Sequence, residues 1–263
     1  MIKLTLKNKF SIVVGGAGHI GQKICKTLLE LESNLLIIDN NKIKLKKLSN
    51  SLTKKYKSKI HTLHVDLNVD DDIELIVKFI KSNYSHIDVV INAIAMVGTN
   101  NIDGWNVPFR NQSKIAWEKA IQTNLTSIFF FIQKISSYFK KTKQTSIINI
   151  SSIYGSKAPK LDIYKGTDIN NPAAYSISKA GINYMTKWLA VNLAPNVRVN
   201  TISPGGIYRG QSKKFVKQYS EKTLMNRMGV EDDLVGSIIY LSTDMSSYVT
   251  GQNIIIDGGW SIK

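Results

Sequence analysis

Tyr175 and Lys179 stand four residues apart in the run Ala174-Tyr-Ser-Ile-Ser-Lys-Ala180. In a helix that spacing puts both side chains on one face. A lysine ammonium beside a phenol favours the phenolate and lowers the tyrosine pKa from its ordinary value of about 10. The pair therefore predicts a tyrosine that can give or take a proton near neutral pH. Many surface helices carry the same two residues at the same spacing without consequence, so the weight of the pair rests on the elements around it.

The first of these elements lies near the N-terminus. Phe10-Ser-Ile-Val-Val14 reads as a short buried strand, followed at once by Gly15-Gly-Ala-Gly-His-Ile-Gly21. Residues 22–32 then place Ile24, Thr27, Leu28 and Leu31 on one helical stripe. Strand, glycine loop and helix follow in the order that a dinucleotide site requires. Glycines permit a tight turn and close approach of a diphosphate to backbone N–H groups, and the helix N-terminus adds partial positive charge. A second apolar strand, Leu35-Leu-Ile-Ile38, ends in Asp39. A carboxylate there accepts hydrogen bonds from a ribose diol and repels a 2′-phosphate, which favours NAD over NADP.

With these residues in place, the chain resembles the short-chain dehydrogenase/reductase family over essentially its whole length. The family's TGxxxGxG pattern becomes Val14-Gly15-Gly16-Ala17-Gly18-His19-Ile20-Gly21, with Val14 for the threonine and His19 for the middle glycine. Asp66-Leu67 matches the adenine-contacting acid and its neighbour. Asn92-Ala93-Ile94-Ala95 stands where the family has NNAG, keeping only the first asparagine. Asn124, Ser152, Tyr175 and Lys179 match the four catalytic positions, and Pro204-Gly205-Gly206-Ile207 matches the turn over the nicotinamide. The resemblance thus implies a cofactor site of Gly15, Gly18, His19, Ile20, Gly21, Asp39, Asp66, Leu67, Asn92, Ala93, Tyr175, Lys179, Pro204, Gly205 and Ile207. It also implies hydride exchange between nicotinamide and a secondary alcohol or ketone. Tyr175 would move the proton, Ser152 would hydrogen-bond the reacting oxygen, Lys179 would hold the ribose hydroxyls, and Asn124 would anchor a water leading to solvent. A regulatory protein that had lost catalysis would lack Ser152, Tyr175 or Lys179, and all three are present.

The substrate is read from two unusual stretches. Ser152 and Tyr175 are 23 positions apart, where many family members have about a dozen, so 153–174 contains an insertion with Tyr154, Lys157, Lys160, Asp162, Tyr164, Lys165, Asp168 and Asn170. The loop 96–113 carries Asn100, Asn101, Asp103, Trp105, Phe109, Arg110 and Asn111. Together with 205–220 these are the expected substrate loops. Aromatic faces among amides and carboxyls suit a polyhydroxylated ligand, and Arg110, Lys165 or Arg209 can meet a phosphate or carboxylate. The candidate substrate residues are Trp105, Arg110, Tyr154, Tyr164, Lys165 and Arg209. The insertion is similar to a family branch found with bacterial surface-glycan and flagellin-modification pathways, whose substrates include amino sugars and sialic-acid-like sugars. The expected substrate is therefore a sugar, sugar phosphate or activated sugar, with a 3-oxoacyl carrier-protein thioester or another small ketone as the alternative.

Composition fits this reading. A chain of 263 residues can form one α/β domain, with strands expected near residues 10, 36, 62, 90, 148, 198 and 254 in a doubly wound, parallel Rossmann sheet flanked by helices. The net charge of +16 comes almost entirely from lysine, since arginine occurs only at 110, 198, 209 and 227. Lysines on an amphipathic helix face such as 42–59 are read as solvated, so no nucleic-acid partner is expected. The four histidines and the lone Cys25 suggest no metal site and no intrachain disulfide. The N-terminus has no signal-peptide pattern and no apolar run suits a bilayer, so a cytoplasmic enzyme without a membrane partner is expected. Family likeness further implies a homodimer or homotetramer, packed through helices near 125–140 and 173–193.

Overall fold

The computed structural model describes residues 4–97, 102–139, 144–167 and 169–263. Asn100, Asn101 and Asp168 lie outside the described residues. Seven strands, β1 (Phe10–Val14), β2 (Asn34–Asp39), β3 (Ile60–His64), β4 (Val89–Asn92), β5 (Thr145–Ile150), β6 (Val197–Pro204) and β7 (Asn253–Ile256), form one sheet in the order β3-β2-β1-β4-β5-β6-β7. Every pairing is parallel. The helices are α1 (His19–Glu30), α2 (Lys42–Lys55), α3 (Asp70–Asn83), α4 (Lys114–Ile121), α5 (Ser127–Ile135), α6 (Ala173–Leu193), α7 (Lys213–Ser220) and α8 (Val235–Ser242).

Two-residue alternation along the central strands explains why both faces are covered. Ile12, Val14, Leu36, Ile38 and Val90 pack with α3, α5 and α6, whereas Val13, Leu35, Ile37, Val89 and Ile91 pack with α1, α2 and α8. Each buried isoleucine or leucine contributes roughly 1.5–3 kcal/mol of transfer free energy, so either face alone would anchor its helices. The expected single doubly wound domain is therefore what forms.

The strand order reverses between β1 and its two neighbours, β2 and β4. In such sheets a crevice opens at the carboxyl ends of the strands beside the reversal. The loops leaving Val14 and Asn92 meet there, with Gly15 N–H donating to Ile38 O at 2.8 Å and Ala93 N–H to Val14 O at 2.8 Å. The expected long helix over 125–140 is interrupted. A π turn at Gln122–Thr126 precedes α5, and a 3-10 turn at Ser136–Tyr138 follows it. Such π turns commonly mark functional sites, and this one carries Asn124.

Candidate active site

The glycine loop is shaped by backbone demands. Gly15 has a φ of +74°, and a Cβ there would lie 2.9 Å from the Ala93 carbonyl carbon and oxygen and from Ile94. At Gly21 any Cβ would collide with the Gly15 carbonyl oxygen. Gly18 is the N-cap of α1, and no side chain caps the helix. The leading N–H groups of His19, Ile20 and Gly21 therefore have no intrahelical partner and face the crevice end of the sheet as anion donors. This uncapped helix start, together with the glycines that leave no Cβ at 15, 16, 18 and 21, fits the diphosphate of a dinucleotide. Ile20 packs into the core, while the His19 side chain is 65% exposed.

The downstream acids also sit at strand ends. Asp39 accepts from Ala17 N–H at 2.9 Å and from Asn41 N–H at 2.9 Å, so it ties the glycine loop to β2 with lone pairs to spare. Asp66 accepts from the Asn68 backbone at 3.0 Å and from the Asn68 and Asn40 side chains, while Leu67 is buried. Asn92 departs from expectation. Its side chain is buried and donates to Asn149 Oδ1 at 2.8 Å, which commits it to joining β4 and β5 instead of lining the crevice. Ala93 is half-buried against Gly15. Gly205 N–H donates to Ile256 O at 2.8 Å, and the buried Ile207 bridges to Gly229, which fixes the turn after Pro204.

The four catalytic candidates converge at the ends of β4 and β5 and the start of α6. Asn124 is fully buried, accepts from Met96 N–H at 2.6 Å and donates to Ser178 Oγ at 3.0 Å. It thus clamps the chain after β4 to α6 across the π turn. Ser152 ends the loop after β5, where its Oγ accepts from Tyr154 N–H at 3.2 Å. The same hydroxyl hydrogen-bonds the Tyr175 phenol and favours its ionised form. Lys179 is buried, donates to Ile150 O at 2.9 Å, and holds its Nζ 5.8 Å from the Tyr175 ring centroid.

The electrostatics correct one expectation. Burial raises the Tyr175 pKa above the usual phenol value, and the opposing influences are Ser152 and the charge of Arg209, not Lys179. Burial also lowers Lys179 to about 7. A lysine desolvated to that extent is only partly charged at neutral pH, and its ammonium lies over the ring and bonded to a carbonyl. Sequence spacing placed the pair correctly but could not show that burial outweighs their mutual attraction.

The candidate substrate residues divide into two groups. Tyr154 and Tyr164 join through their hydroxyls at 2.7 Å. Burial raises both phenols, and Tyr175 adds to the effect at each. The pair packs on Ile153, Ile163, Phe215, Tyr219, Met228 and Trp260. The Arg209 side chain is 29% exposed, lies 3.8 Å from Glu231 through its Nε, and its charge acts on the Tyr175 phenol. Trp105, in contrast, is buried among Met96, Ala116, Ala120 and Ala174, and its indole donates to Val97 O at 2.8 Å, which makes it packing behind Tyr175. Arg110 and Lys165 project from the surface. Glu231, Tyr219 and Asn171 also join the site's contacts. Nothing in their local sequence marks them, because their partners lie far along the chain.

A cavity of about 320 Å³ beside the start of α6 is lined by Trp105, Phe109, Gln112, Trp117, Ala173 and Ala174. Another of about 330 Å³ is lined by Gly205, Ile207, Arg227, Asp233, Asp257 and Gly258. None of the four catalytic candidates lines either, so the reactive groups mark the site better than cavity size does. Among the described residues no cluster of three or more His, Cys, Asp or Glu could hold a metal ion, and no helix is long and apolar enough to cross a membrane.

Comparison with known proteins decides the family. The model of the family described as Enoyl-(Acyl carrier protein) reductase matches residues 15–261. The chain belongs to the short-chain dehydrogenase/reductase family. It is 31% identical to post-translational flagellin modification protein A of Campylobacter coli, over 98% of this chain and 100% of that one. It is 28% identical to sorbose reductase SOU1 of Candida albicans, over 98% and 88% respectively. It is 27% identical to the 3-oxoacyl-[acyl-carrier-protein] reductase FabG of Aquifex aeolicus, over 98% and 99%. Among solved structures, a short-chain dehydrogenase from Leptospira borgpetersenii with bound NAD+ is 31% identical, with a TM-score of 0.83, covering 97% of this chain and 94% of that one. This dehydrogenase/reductase is thus an oxidoreductase of small molecules, and the flagellin relative agrees with the resemblance to the glycan-modification branch.

Proposed function

We propose that the protein transfers a hydride between NAD(H) and a secondary alcohol or ketone of a sugar, sugar phosphate or activated sugar, as one step in surface-glycan synthesis. The convergence of Ser152 and Tyr175, with Lys179 one turn further along α6, carries the redox reading. A bound reduced nicotinamide supplies the hydride to the carbonyl carbon. Tyr175, whose raised pKa keeps its phenol protonated at neutral pH, donates the proton to the carbonyl oxygen. Ser152 donates a hydrogen bond to the same oxygen and stabilises its developing charge. Lys179 holds the ribose hydroxyls and returns a proton toward Tyr175, and Asn124 fixes the backbone beside them. In the oxidative direction the same groups act in reverse.

Asp39 supports a preference for NAD, because a 2′-phosphate would approach a carboxylate already fixed at the end of β2. The sugar reading is supported by the paired hydroxyls of Tyr154 and Tyr164 close to the reactive phenol, and by the flagellin and sorbose relatives. Self-association is proposed through α5 and α6, where Phe130, Tyr184, Trp188 and Val191 are exposed apolar side chains.

The cavity lined by Trp105, Phe109 and Trp117 favours a second reading, reduction of a 3-oxoacyl thioester whose apolar chain would lie there. Following nicotinamide absorbance at 340 nm with a panel of ketoses, nucleotide sugars and acetoacetyl thioester separates the two. Turnover restricted to the thioester would reject the sugar reading.

A further inference from the structure

One carboxylate faces both the start of α1 and the segment that follows β6. Glu231 Oε1 lies 3.9 Å from His19 Nδ1, at the first residue of α1, and 3.8 Å from Arg209 Nε, in the segment after the Pro204–Gly205 turn. The shared oxygen therefore places the Arg209 side chain near that of His19, the first residue of α1. In the other direction the charge of Arg209 reaches the Tyr175 phenol. A dinucleotide bound with its adenosine over β2 and its nicotinamide at Tyr175 must run its diphosphate between those two points.

The two ends of this contact are held very differently. Glu231 sits in a fixed acidic segment, since the next residue, Asp232, pairs with Lys23 of α1, and Asp233 accepts both arms of Arg227 at 2.7 Å. Among the described residues Arg209 has no such two-armed partner. Its Nε faces Glu231 through one long contact, while its backbone is held by Gln211, which accepts from the Arg209 N–H and donates to Ile207 O at 3.0 Å, and by the neighbouring Tyr208 N–H donating to Gly229 O at 2.8 Å. A planar guanidinium with a single distant carboxylate retains most of its donor capacity.

We infer that Glu231 is a built-in stand-in for the cofactor diphosphate, parking Arg209 near His19 until the dinucleotide arrives and takes the guanidinium over. A phosphate offers Arg209 two short charge-assisted bonds in place of one long ion pair. Glu231 then competes with the ligand for the Arg209 side chain, while the backbone at 205–208 stays paired to Ile256 and Gly229. The inference depends on dinucleotide binding by the family and not on the sugar reading.

Equilibrium binding of NADH, followed by its fluorescence, tests this without any substrate. Glu231→Gln removes the competing charge and should tighten NADH about two- to fivefold, in line with release of one modest ion pair. Arg209→Gln should weaken it about tenfold, and Glu231→Gln should tighten NADH less in the Arg209→Gln background than in the parent chain, because Glu231 acts chiefly through Arg209. ADP-ribose, which has the diphosphate without the nicotinamide, should follow the same pattern, whereas adenosine should not respond. Arg209→Lys keeps the charge without the fork and should fall between. Unchanged or weaker NADH binding in Glu231→Gln, with an unaltered thermal transition, overturns the competition. Unchanged NADH and ADP-ribose binding in Arg209→Gln overturns the contact itself.

Discussion

The cofactor side and the substrate side of this molecule are built on different principles. Around Gly15–Gly21 the work is done by backbone: strand ends, a positive φ, missing Cβ atoms and an uncapped helix start, all within a few residues of one another. Around the insertion it is done by side chains whose partners are distant in sequence. Lys160 lies over the Trp260 ring at 4.7 Å, Lys222 pairs with Asp162 at 2.6 Å, and Tyr219 packs between Phe215 and Trp260. A backbone-built site leaves little room for variation, because few residues satisfy its geometry. A site built from long-range side-chain contacts can be rebuilt for new substrates while the fold is kept.

Perturbations should therefore separate cleanly between the two sides. The largest effect is expected at their meeting point. Tyr175→Phe removes the proton carrier and should lower turnover about a thousandfold, within the usual range for a positioned acid or base, while NADH affinity changes less than about twofold. A loss of NADH affinity as large as the loss of turnover would show that the phenol builds the cofactor site. Next comes Trp260→Ala, which empties a fully buried position under the insertion. It should cost about 3–5 kcal/mol in stability to denaturant and raise substrate KM, with the NADH dissociation constant retained in the folded fraction. Equal damage to both ligands would mean that the two sides are one cooperative unit.

The same division explains what could be read from the sequence. All seven strands, α6 and the glycine loop follow from local period and local punctuation, and they fall where expected. Tyr175 and Lys179 were reachable from their one-turn spacing on α6, and Ser152 and Asn124 from their match to the family's motif positions. Trp105 was not, since an aromatic residue in a polar loop reads alike whether it faces a ligand or, as here, fills the space between α4 and α6. The inward turn of Asn92 depends on Asn149, 57 positions away. At the start of the expected 125–140 helix the π turn lets Asn124 bond Met96 and Ser178 together, a long-range demand that no local pattern expresses. The direction of the Tyr175 shift was misjudged for a related reason, because spacing shows the lysine but not the protein packed around the phenol.

A smaller effect, confined to the cofactor side, is expected at Asp39. Asp39→Ala removes a carboxylate that accepts from Ala17 and Asn41, so it should relax the NAD preference by about tenfold, the scale of one charge-assisted contact. The ratio of kcat/KM with NADH to that with NADPH measures this. An unaltered ratio would show that Asp39 serves only to brace the glycine loop, and would leave cofactor choice to residues outside β2.

A last effect concerns stability, and it tests whether burial rules the catalytic pair. Lys179 is lowered to about 7 in the folded chain, against about 10.4 when unfolded. Between those values the unfolded chain binds one more proton at this position, so stability rises with pH across the window, and the burden of the buried charge is full only below pH 7. The slope from this one group should approach about 1.4 kcal/mol per pH unit between pH 7.5 and 9. Urea unfolding of the cofactor-free protein at those pH values should show the rise, and Lys179→Met should flatten it. A slope that survives the substitution would place the lysine in a more polar setting than its bond to Ile150 O implies, and its attraction for the phenolate would then regain the leading role at Tyr175.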